Sequence, residues 1–591
     1  MSGHRHHHGD AGRSADVVRG EPLDVPFPRA ADARRAAVAV APAVVPLRAR
    51  LPAAVATDLP HEIYLIGCGG DLAVRGQASA QSMGFKAWNL LRMAQLSLPV
   101  PPAFVIGTRY CANPVARTGS SGPDLWCAGL RALERSTGRA LGDARRPLFL
   151  SVRSGAPVSM PGMMDTLLNI GLCDATVAGL MRQTGNPRLV WDAYRRLVAA
   201  YGEVVAGLPA TSFEEAATAL FGCRDERELD FADLRSLTQR LLEVYEEGAG
   251  RPFPQDPVEQ LGGAIEAVFS SWQSPKAREY RRLNHIADAV GTAVTVQCMV
   301  FGNAGGQSGA GVGFTRDPAS GEPALWVDFL FNAQGEDVVS GRRSANGHDE
   351  LATVLPEVWH ELSEAAQQLE HDFGDMQDFE FTVQDGRLFM LQTRSGKRTP
   401  HAAARIALDL LDEGLIGPKL ALERTAGLDR ESLAQPCVVA TGGTVLTPLG
   451  RAATASSGVA VGEVALDEVR AVARHEAGVP VVLVRRDAET SDIAALESAT
   501  GLLTQRGART SHAAVVARQL GKVCLVGCTE LQIDETARTL QVGDTALHEG
   551  ELISLDGNEG VFYAGAANVE IRYPEELIAR LDALRQHGPK T

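Results

Sequence analysis

One stretch decides the fold of this chain: residues 501–520, GLLTQRGARTSHAAVVARQL. The order of residue types predicts a short apolar strand, a basic loop, and then a helix that Thr510 or Ser511 can cap. His512 therefore falls in the first turn of that helix. The unpaired N–H groups and the positive dipole end there disfavour the imidazolium, so the ring stays neutral. Because the same N–H groups can receive a phosphoryl group, the stretch predicts a histidine able to attack phosphorus.

The string around His512 is more informative than the histidine itself, which alone would more often be a surface or capping residue. T-x-x-G-x-x-T-S-H-A-A-V-V-A-R resembles the phosphohistidine segment of the pyruvate phosphate dikinase and phosphoenolpyruvate synthase family. The resemblance implies that His512, with Thr510 beside it, is catalytic and takes a phosphoryl group between two distant sites. The chain departs from the family at Ala508, which stiffens the loop, and at Arg509, which adds a charge where the phosphate would dock. We expect both departures to bear on the choice of acceptor.

Length and composition restrict the class of protein. A chain of 591 residues is too long for one core, so we expect three or four domains. The net charge of −15 argues against a nucleic-acid partner. Nine cysteines without a C-x-x-C pair are typical of a reducing cytoplasm. No apolar run approaches the ~18 residues of a membrane span, and the histidine-rich start resembles no signal peptide, so we interpret it as a tail.

The first candidate for phosphate binding is Lys86. It follows Gly84 at the predicted start of a helix, where a lysine could reach a phosphate, although an ordinary solvated lysine is the commoner case. The segment from Gly84 to Phe104 resembles the dikinase opening G-x-K-x-x-N-L…G-x-P-V-P-P-G-F, with Ala103 in place of one glycine. This resemblance implies that Lys86 belongs to a nucleotide-binding site.

A second candidate lies in residues 148–172, LFLSVRSGAPVSMPGMMDTLLNIGL. An apolar strand delivers Arg153 into a loop of small residues, whose backbone N–H groups can approach phosphates closely. An ordinary connecting loop with one structural arginine is the alternative. The string S-V-R-S-G-A-x-x-S-M-P-G-M-M-D-T resembles the dikinase pattern almost letter for letter, which implies that Arg153 binds nucleotide phosphates and acts in catalysis.

The third candidate is a predicted hairpin at 376–399 with an Asp-Gly turn. Alternation places Asp378 and Glu380 on one face of its first strand, and Gln392 and Arg394 share a face of the second. Such a set could hold Mg²⁺ through oxygen atoms and phosphate through the guanidinium, or it could be a cross-strand surface ion pair. Resemblance to the ATP-grasp ending of the family implies that Glu380 and Gln392 hold Mg²⁺ and that Asp378 and Arg394 belong to the nucleotide site.

Two further segments resemble the family: TRDP at 315–318 and NAQGED at 332–337. The second implies that Glu336 contacts the nucleotide, and Asp328 stands where the family commonly has Glu. The Gly309-x-Gly311-x-Gly313 run lacks the strand-then-helix setting of a dinucleotide fingerprint, and we discount it.

These observations predict an α/β multidomain chain in which an ATP-grasp region with a helical insertion precedes a swivelling α/β phosphohistidine domain. The expected boundaries are a loosely ordered tail at 1–60, the ATP-grasp region at 61–400 with its helical part near 174–250, a helical linker at 401–430, the phosphohistidine domain at 431–565, and a helix or tail at 566–591.

The resemblance implies an ATP-dependent phosphotransferase of the dikinase type, with ATP as substrate and Mg²⁺ as cofactor. The pyruvate barrel of the family needs about 250 residues, and we expect none within 566–591. The acceptor is therefore an unknown small molecule, as in the rifampin phosphotransferases, or a separate barrel subunit completes a split dikinase. A third alternative, a non-catalytic regulator, is disfavoured by the retained His512, Arg153, Glu380 and Arg394.

Overall fold

The computed structural model describes residues 59, 61–69, 78–114, 122–158, 160, 164–222, 224, 226–339, 348–440, 442, 446–487, 492–509 and 511–587. The predicted tail at 1–60, apart from Leu59, and Thr510 therefore lie outside the described residues. The backbones of Glu336 and His512 are described, but their side chains are not. All described helices and strands fall within Pro52–Thr591.

The first layer is an antiparallel five-stranded sheet with the order β1-β2-β7-β5-β6. Its strands and the short β3–β4 pair are β1 Ile63–Ile66, β2 Ala103–Ile106, β3 Ala140–Leu141, β4 Pro147–Leu148, β5 Leu150–Gly155, β6 Thr166–Ile170 and β7 Ala293–Cys298. Helices α1 Ala80–Met83, α2 Phe85–Gln95 and α3 Gly122–Thr137 lie between its early strands in the sequence.

A helical layer separates β6 from β7 in sequence and packs against this sheet. It contains α4 Asp174–Thr184, α5 Pro187–Val204, α6 Ala210–Phe221, α7 Phe231–Ala249, α8 Pro257–Ser271 and α9 Pro275–Leu283. The 3–4-residue spacing of Trp191, Tyr194, Leu197 and Tyr201 predicts core residues. The last three are buried, whereas Trp191 is partly buried against them. Tyr194, Tyr201 and Tyr245 surround Phe253. The aromatic cluster ties α5 to α7 and makes this layer part of one core with the sheet.

The second layer is an antiparallel sheet with the order β11-β10-β8-β9. Its strands are β8 Gly309–Phe314, β9 Trp326–Phe331, β10 Gln377–Gln384 and β11 Arg387–Ser395, and helices α10 Gly335–Val339, α11 His348–Val354 and α12 Pro356–Phe373 connect β9 to β10. The glycines discounted as a fingerprint sit in β8 for packing. A Cβ on Gly311 would lie 2.4 Å from the ring of Phe381 on the neighbouring strand.

A helical unit follows and is fixed to this second sheet. It consists of α13 Pro400–Asp412, α14 Pro418–Thr425 and the C-terminal α18 Glu575–His587, which share one hydrophobic cluster with Phe314 of β8. The buried Arg316 forms ion pairs with Glu370 of α12 at 2.7 Å and with Glu413 after α13 at 3.0 Å. We call these three helices the linker unit.

Two strands join the linker unit to the C-terminal part of the chain. β12 Gln435–Val439 and β24 Asn568–Arg572 form an antiparallel two-stranded ribbon. The sequence predicts only a helix or a tail after 565, so β24 is an element that the sequence does not predict. All five of its residues are exposed, which removes the buried-face alternation by which strands are recognised.

The C-terminal α/β body, residues 446–565, lies beyond this ribbon. Its eight-stranded sheet has the order β13-β23-β22-β15-β16-β17-β18-β14, with parallel pairing from β15 to β18. Its elements are β13 Gly450–Arg451, β14 Ala453–Ser456, β15 Val459–Ala465, α15 Glu468–Glu476, β16 Val481–Arg485, α16 Ile493–Ser498, β17 Gly501–Thr504, α17 His512–Gln519, β18 Val523–Val526, β19 Leu531–Asp534, β20 Thr539–Val542, β21 Thr545–His548, β22 Leu552–Asp556 and β23 Val561–Ala564.

The predicted α/β multidomain fold class is therefore confirmed, while the exact domain boundaries stay predictions. In the described part of the chain, no helix combines the length and the apolar character needed to cross a lipid bilayer.

Candidate functional site

A close approach between α2 and β5 brings Lys86 to Arg153. Gly84 has φ +78°, and a Cβ there would stand 2.0 Å from the carbonyl oxygen of Gly155. The N–H of Phe85 donates to the carbonyl of Ala156 at 3.1 Å, which fixes the start of α2 on the end of β5. Only glycine permits this contact, and Lys86 is the next residue but one.

The electrostatic neighbours of Lys86 come from both sheets. Burial lowers the pKa of its ammonium; Glu380 opposes this change, and Arg153 and Arg394 add to it. Surrounding protein atoms lower this pKa although part of Lys86 stays accessible to solvent. Arg153 has a buried Nε without a hydrogen-bond partner among the described residues. Lys86, Arg153 and Arg394 thus form a cluster of positive charge between the two sheets, with one buried donor, Nε of Arg153, unpartnered; we call the space between the sheets the cleft.

The hairpin of β10 and β11 supplies the opposite wall of this cleft. The register pairs Asp378 with Arg394 and Glu380 with Gln392, as the alternation predicts. The Nε of Arg394 donates to Oδ2 of Asp378 at 2.8 Å. The register shifts directly after Glu380, so a β-bulge interrupts the ladder beside that pair. Two oxygen-bearing side chains, Glu380 and Gln392, therefore lie side by side next to the ion pair that the buried Asp378 forms with Arg394.

Burial governs the ionisation of this pair. It raises the pKa of the Asp378 carboxyl, against the influence of Arg394 and, from the C-terminal body, of Arg518. Burial also lowers the pKa of the Arg394 guanidinium, but Asp378 and Glu380 outweigh it and raise that pKa overall. We conclude that Arg394 stays charged, and that its charge is shared between Asp378 and any anion in the cleft.

The segment 501–520 has the local structure expected of it. Ser511 is the N-cap of α17, its hydroxyl accepts from the N–H of Ala514 at 3.4 Å, and His512 is the first helical residue. Of the other predicted site residues, Glu336 lies in α10, and Thr510 is outside the described residues. The first-turn position of His512 is therefore as predicted, whereas its side-chain contacts stay outside the described part.

The start of α17 is docked on the second sheet. Arg509, three residues before His512, directs Nη2 to Oδ1 of the buried Asp328 at 3.3 Å. Its guanidinium carbon lies 4.0 Å from the ring centre of Trp326. The basic loop thus contacts a carboxylate and an aromatic ring of β9.

This docking occurs on the same face of the sheet as the hairpin residues. Directly paired residues share a face, and the register joins Asp328 to Val312, Val312 to Glu380, and Glu380 to Gln392. At about 4.8 Å between strands, the row from Asp328 to Gln392 spans about 15 Å. The loop before His512 therefore contacts one end of the row whose other end holds the adjacent side chains of Glu380 and Gln392.

Sequence reasoning missed part of this arrangement. The sequence marks Asp328 only as a departure from the family and predicts no role for Trp326 or Arg518. It places the charge of Arg509 where the phosphate would dock, whereas the guanidinium pairs with Asp328. The sequence does contain a signal for Arg518: it follows the apolar run AAVVA in the same helix, so its side chain is placed near the core, where arginine is rare unless it is paired.

Comparison with known proteins gives consistent matches along the chain. Residues 123–349 and 348–414 match the family model for the pyruvate phosphate dikinase AMP/ATP-binding domain. Residues 478–560 match the model for the mobile domain of PEP-utilising enzymes. The chain is 43% identical over 498 residues to pyruvate, phosphate dikinase of Clostridium symbiosum, covering 83% of this chain and 57% of that protein.

The chain belongs to the pyruvate phosphate dikinase and phosphoenolpyruvate synthase family. Similarity extends to plant members: the chain is 43% identical over 510 residues to pyruvate, phosphate dikinase 1, chloroplastic, of Arabidopsis thaliana, covering 85% of this chain and 52% of the relative. Pyruvate, phosphate dikinase 2 of Zea mays is 43% identical over 489 residues, with 82% and 55% covered. The chain thus spans about half the length of the dikinases it matches. The predicted family is confirmed.

Proposed function

We propose that this chain is an ATP-dependent phosphotransferase of the dikinase type with His512 as the phosphoryl carrier. One observation is central: the loop that leads to His512 is docked on the sheet face that holds Glu380 and Gln392. His512 can take a phosphoryl group from a nucleotide only if the start of α17 comes close to the nucleotide-binding cleft. The docking of α17 beside this cleft supports transfer within one chain.

The cleft residues suit an ATP polyphosphate. Lys86, Arg153 and Arg394 provide cations and a forked donor for phosphate oxygens, and Asp378 orients Arg394 at 2.8 Å. We assign Glu336 to the same nucleotide site by its match to the family motif. Such fixed charges lower the energy of bringing a nucleophile to a polyanion, since phosphoryl transfer depends chiefly on positioning and electrostatics.

Magnesium fits the hairpin. Mg²⁺ is commonly held by one or two protein oxygens together with substrate phosphates, and Glu380 and Gln392 present two such oxygens from paired positions. When bound, the ion would neutralise charge on the phosphate oxygens. The described residues contain no cluster of three or more His, Cys, Asp or Glu that could hold a metal, which agrees with a site completed by ATP.

The reaction proceeds in two halves. The neutral imidazole of His512 attacks the β-phosphorus, a nitrogen–phosphorus bond forms, and the bond to the α–β bridging oxygen breaks with release of AMP. The γ-phosphoryl group then passes to inorganic phosphate or water, and phospho-His512 remains. Thr510 precedes the N-cap Ser511 and is assigned to the same catalytic segment. In the second half, a small-molecule acceptor takes the phosphoryl group.

Labelling tests the first half directly. ATP labelled in its β-phosphate should transfer label to the wild-type protein in the presence of Mg²⁺, with one AMP released per label. His512→Ala should take up no label and should bind nucleotide as before. Absence of label on the wild type, or label on His512→Ala, would refute the assignment.

The acceptor is identified by a screen of AMP release. Turnover with pyruvate and this chain alone would assign pyruvate as the acceptor. Turnover with pyruvate only after addition of a separate barrel chain would establish the split dikinase, and turnover with other small molecules would establish a new acceptor. For its location we propose the cytoplasm, which the eight free cysteines of the described residues support.

A further inference from the structure

Arg518 is a buried cation without an ion pair. It is the seventh residue of α17, it is 3% exposed, and no carboxylate of the described residues lies within ion-pair distance of it. A charge buried without a partner is costly, and arginines this deeply buried are normally paired. Such a residue calls for an anion that the chain itself does not supply.

The guanidinium of Arg518 reaches back to the start of its helix. Its Nη2 donates to the carbonyl oxygen of Arg509 at 3.1 Å, and its Nε donates to the carbonyl oxygen of Ala455 at 2.9 Å. Helical side chains tilt toward the N-terminus, and Arg509 precedes His512 by three residues. The positive charge thus lies beside the first turn of α17, where the unpaired helix N–H groups also converge.

One donor of this guanidinium remains unused. Nη1 is buried and has no hydrogen-bond partner within the described part of the chain. The rings of Phe314 and Trp326 lie 5.5 and 5.7 Å from the guanidinium carbon and shield it from water. Asp378, Asp317 and Asp328 favour its charged form, but from beyond ion-pair distance. An unpartnered donor and a helix N-terminus therefore meet at one place.

We propose that Arg518 is a phosphoryl-binding residue whose Nη1 donates to the phosphoryl group at the start of α17. This inference rests on the proposed function and adds a donor to it. The planar fork has two tasks. Nε and Nη2 hold the backbone that leads to His512, and Nη1 binds the transferring group in a desolvated site, where a charge-assisted hydrogen bond is strongest. The proton stays on the guanidinium throughout.

The test compares Arg518→Met and Arg518→Lys with the control Arg506→Met, which removes an exposed arginine of the same loop. Label from β-labelled ATP is followed over time, and nucleotide affinity is measured separately. Loss of one donor to a developing charge typically costs about 10²–10³ in rate. We expect that loss for Arg518→Met, with nucleotide affinity retained. Arg518→Lys keeps a backbone donor but lacks the fork, and we expect it to be slow as well.

Rescue separates a phosphoryl-binding role from a structural role. Guanidinium ion added to Arg518→Ala should restore labelling with saturation, while ammonium or sodium ion should not. Wild-type rates in Arg518→Met would overturn the proposal. The proposal would also be overturned if the labelling rates of the variants fell in proportion to their unfolding midpoints and guanidinium ion did not restore them. A wild type that takes up no label would instead refute the proposed function, so the two failures are distinguishable.

Discussion

The titration of the Lys86 ammonium can report on nucleotide binding. Its pKa lies below the ordinary 10.5, chiefly because of burial, with Arg153 and Arg394 also lowering it against Glu380. Nucleotide phosphates would stabilise the ammonium and raise that pKa again. We therefore expect ATP binding to take up protons at a pH between the lowered value and 10.5, and none well below that window.

Calorimetry in two buffers of different ionisation enthalpy measures this proton uptake. Lys86→Met should bind ATP more weakly and should take up no protons in the same window. Lys276→Met is a suitable control, because Lys276 is 54% exposed and lies 3.7 Å from Asp165. Equal proton uptake by wild type and Lys86→Met would show that another group is responsible.

The ion pair between Arg509 and Asp328 predicts coupling between two residues 181 positions apart. Asp328→Asn leaves the charge of Arg509 without its carboxylate and should slow labelling of His512. Adding Arg509→Met removes that charge, so the double variant should be less impaired than the product of the two single effects. Labelling rates of the four proteins measure this coupling, and independent effects would contradict the docking role.

At the scale of the element, the start of α2 depends on Gly84. Alanine there would adopt φ +78° and would place Cβ 2.0 Å from a backbone oxygen of β5. Strain and overpacking together should cost about 3 kcal/mol or more of unfolding free energy. Gly185 is the matched control, since its φ is +62° but nothing lies within 4 Å of a Cβ.

Urea unfolding compares the two glycine variants. Gly185→Ala should lose only about 1 kcal/mol, from backbone strain alone. Gly84→Ala should also lose nucleotide affinity, because Lys86 and Arg153 would separate. Equal unfolding free energies of the two variants would contradict this prediction, because they would show that β5 can move away from residue 84 without loss of stability.

The elements show how much the sequence could predict. The sequence predicts the hairpin of β10 and β11 and the side chains that share a face of each strand, because alternation and turn residues are local signals. Asp385 and Gly386 have the positive φ values that such a turn requires. The cap of α17 was equally local. The pairing of Arg509 with Asp328 and the burial of Arg518 depend on contacts between distant segments, and no local pattern specifies those.

At the scale of the whole molecule, Arg316 connects the second sheet to the linker unit. It is 2% exposed and pairs with Glu370 and Glu413. Arg316→Met would leave these carboxylates without their shared cation, and we expect a loss of about 3 kcal/mol in unfolding free energy. Arg240→Met is the control, because Arg240 pairs only with exposed glutamates and should matter little. Similar urea midpoints for the two variants would contradict this role.

The anchored linker unit revises the expected hinge. The resemblance to the family implies a rigid-body hinge of the swivelling domain through residues 400–435 and the tail. The helices α13, α14 and α18 instead share one core with the second sheet, and among the described residues the ribbon of β12 and β24 joins that core to the C-terminal body. We therefore place the pivot of the proposed swing at β12 and β24.

The ribbon also makes the C-terminal body an excisable module. Val439 and Asn568 face each other as paired residues, so the chain leaves and returns at one point. A two-residue Asn-Gly turn could join them directly, deleting 440–567 without disturbing α18. The shortened protein should still bind ATP and should accept no label. For the same reason, a different phosphoryl-carrier domain inserted between Val439 and Asn568 would be placed where it could reach the bound nucleotide.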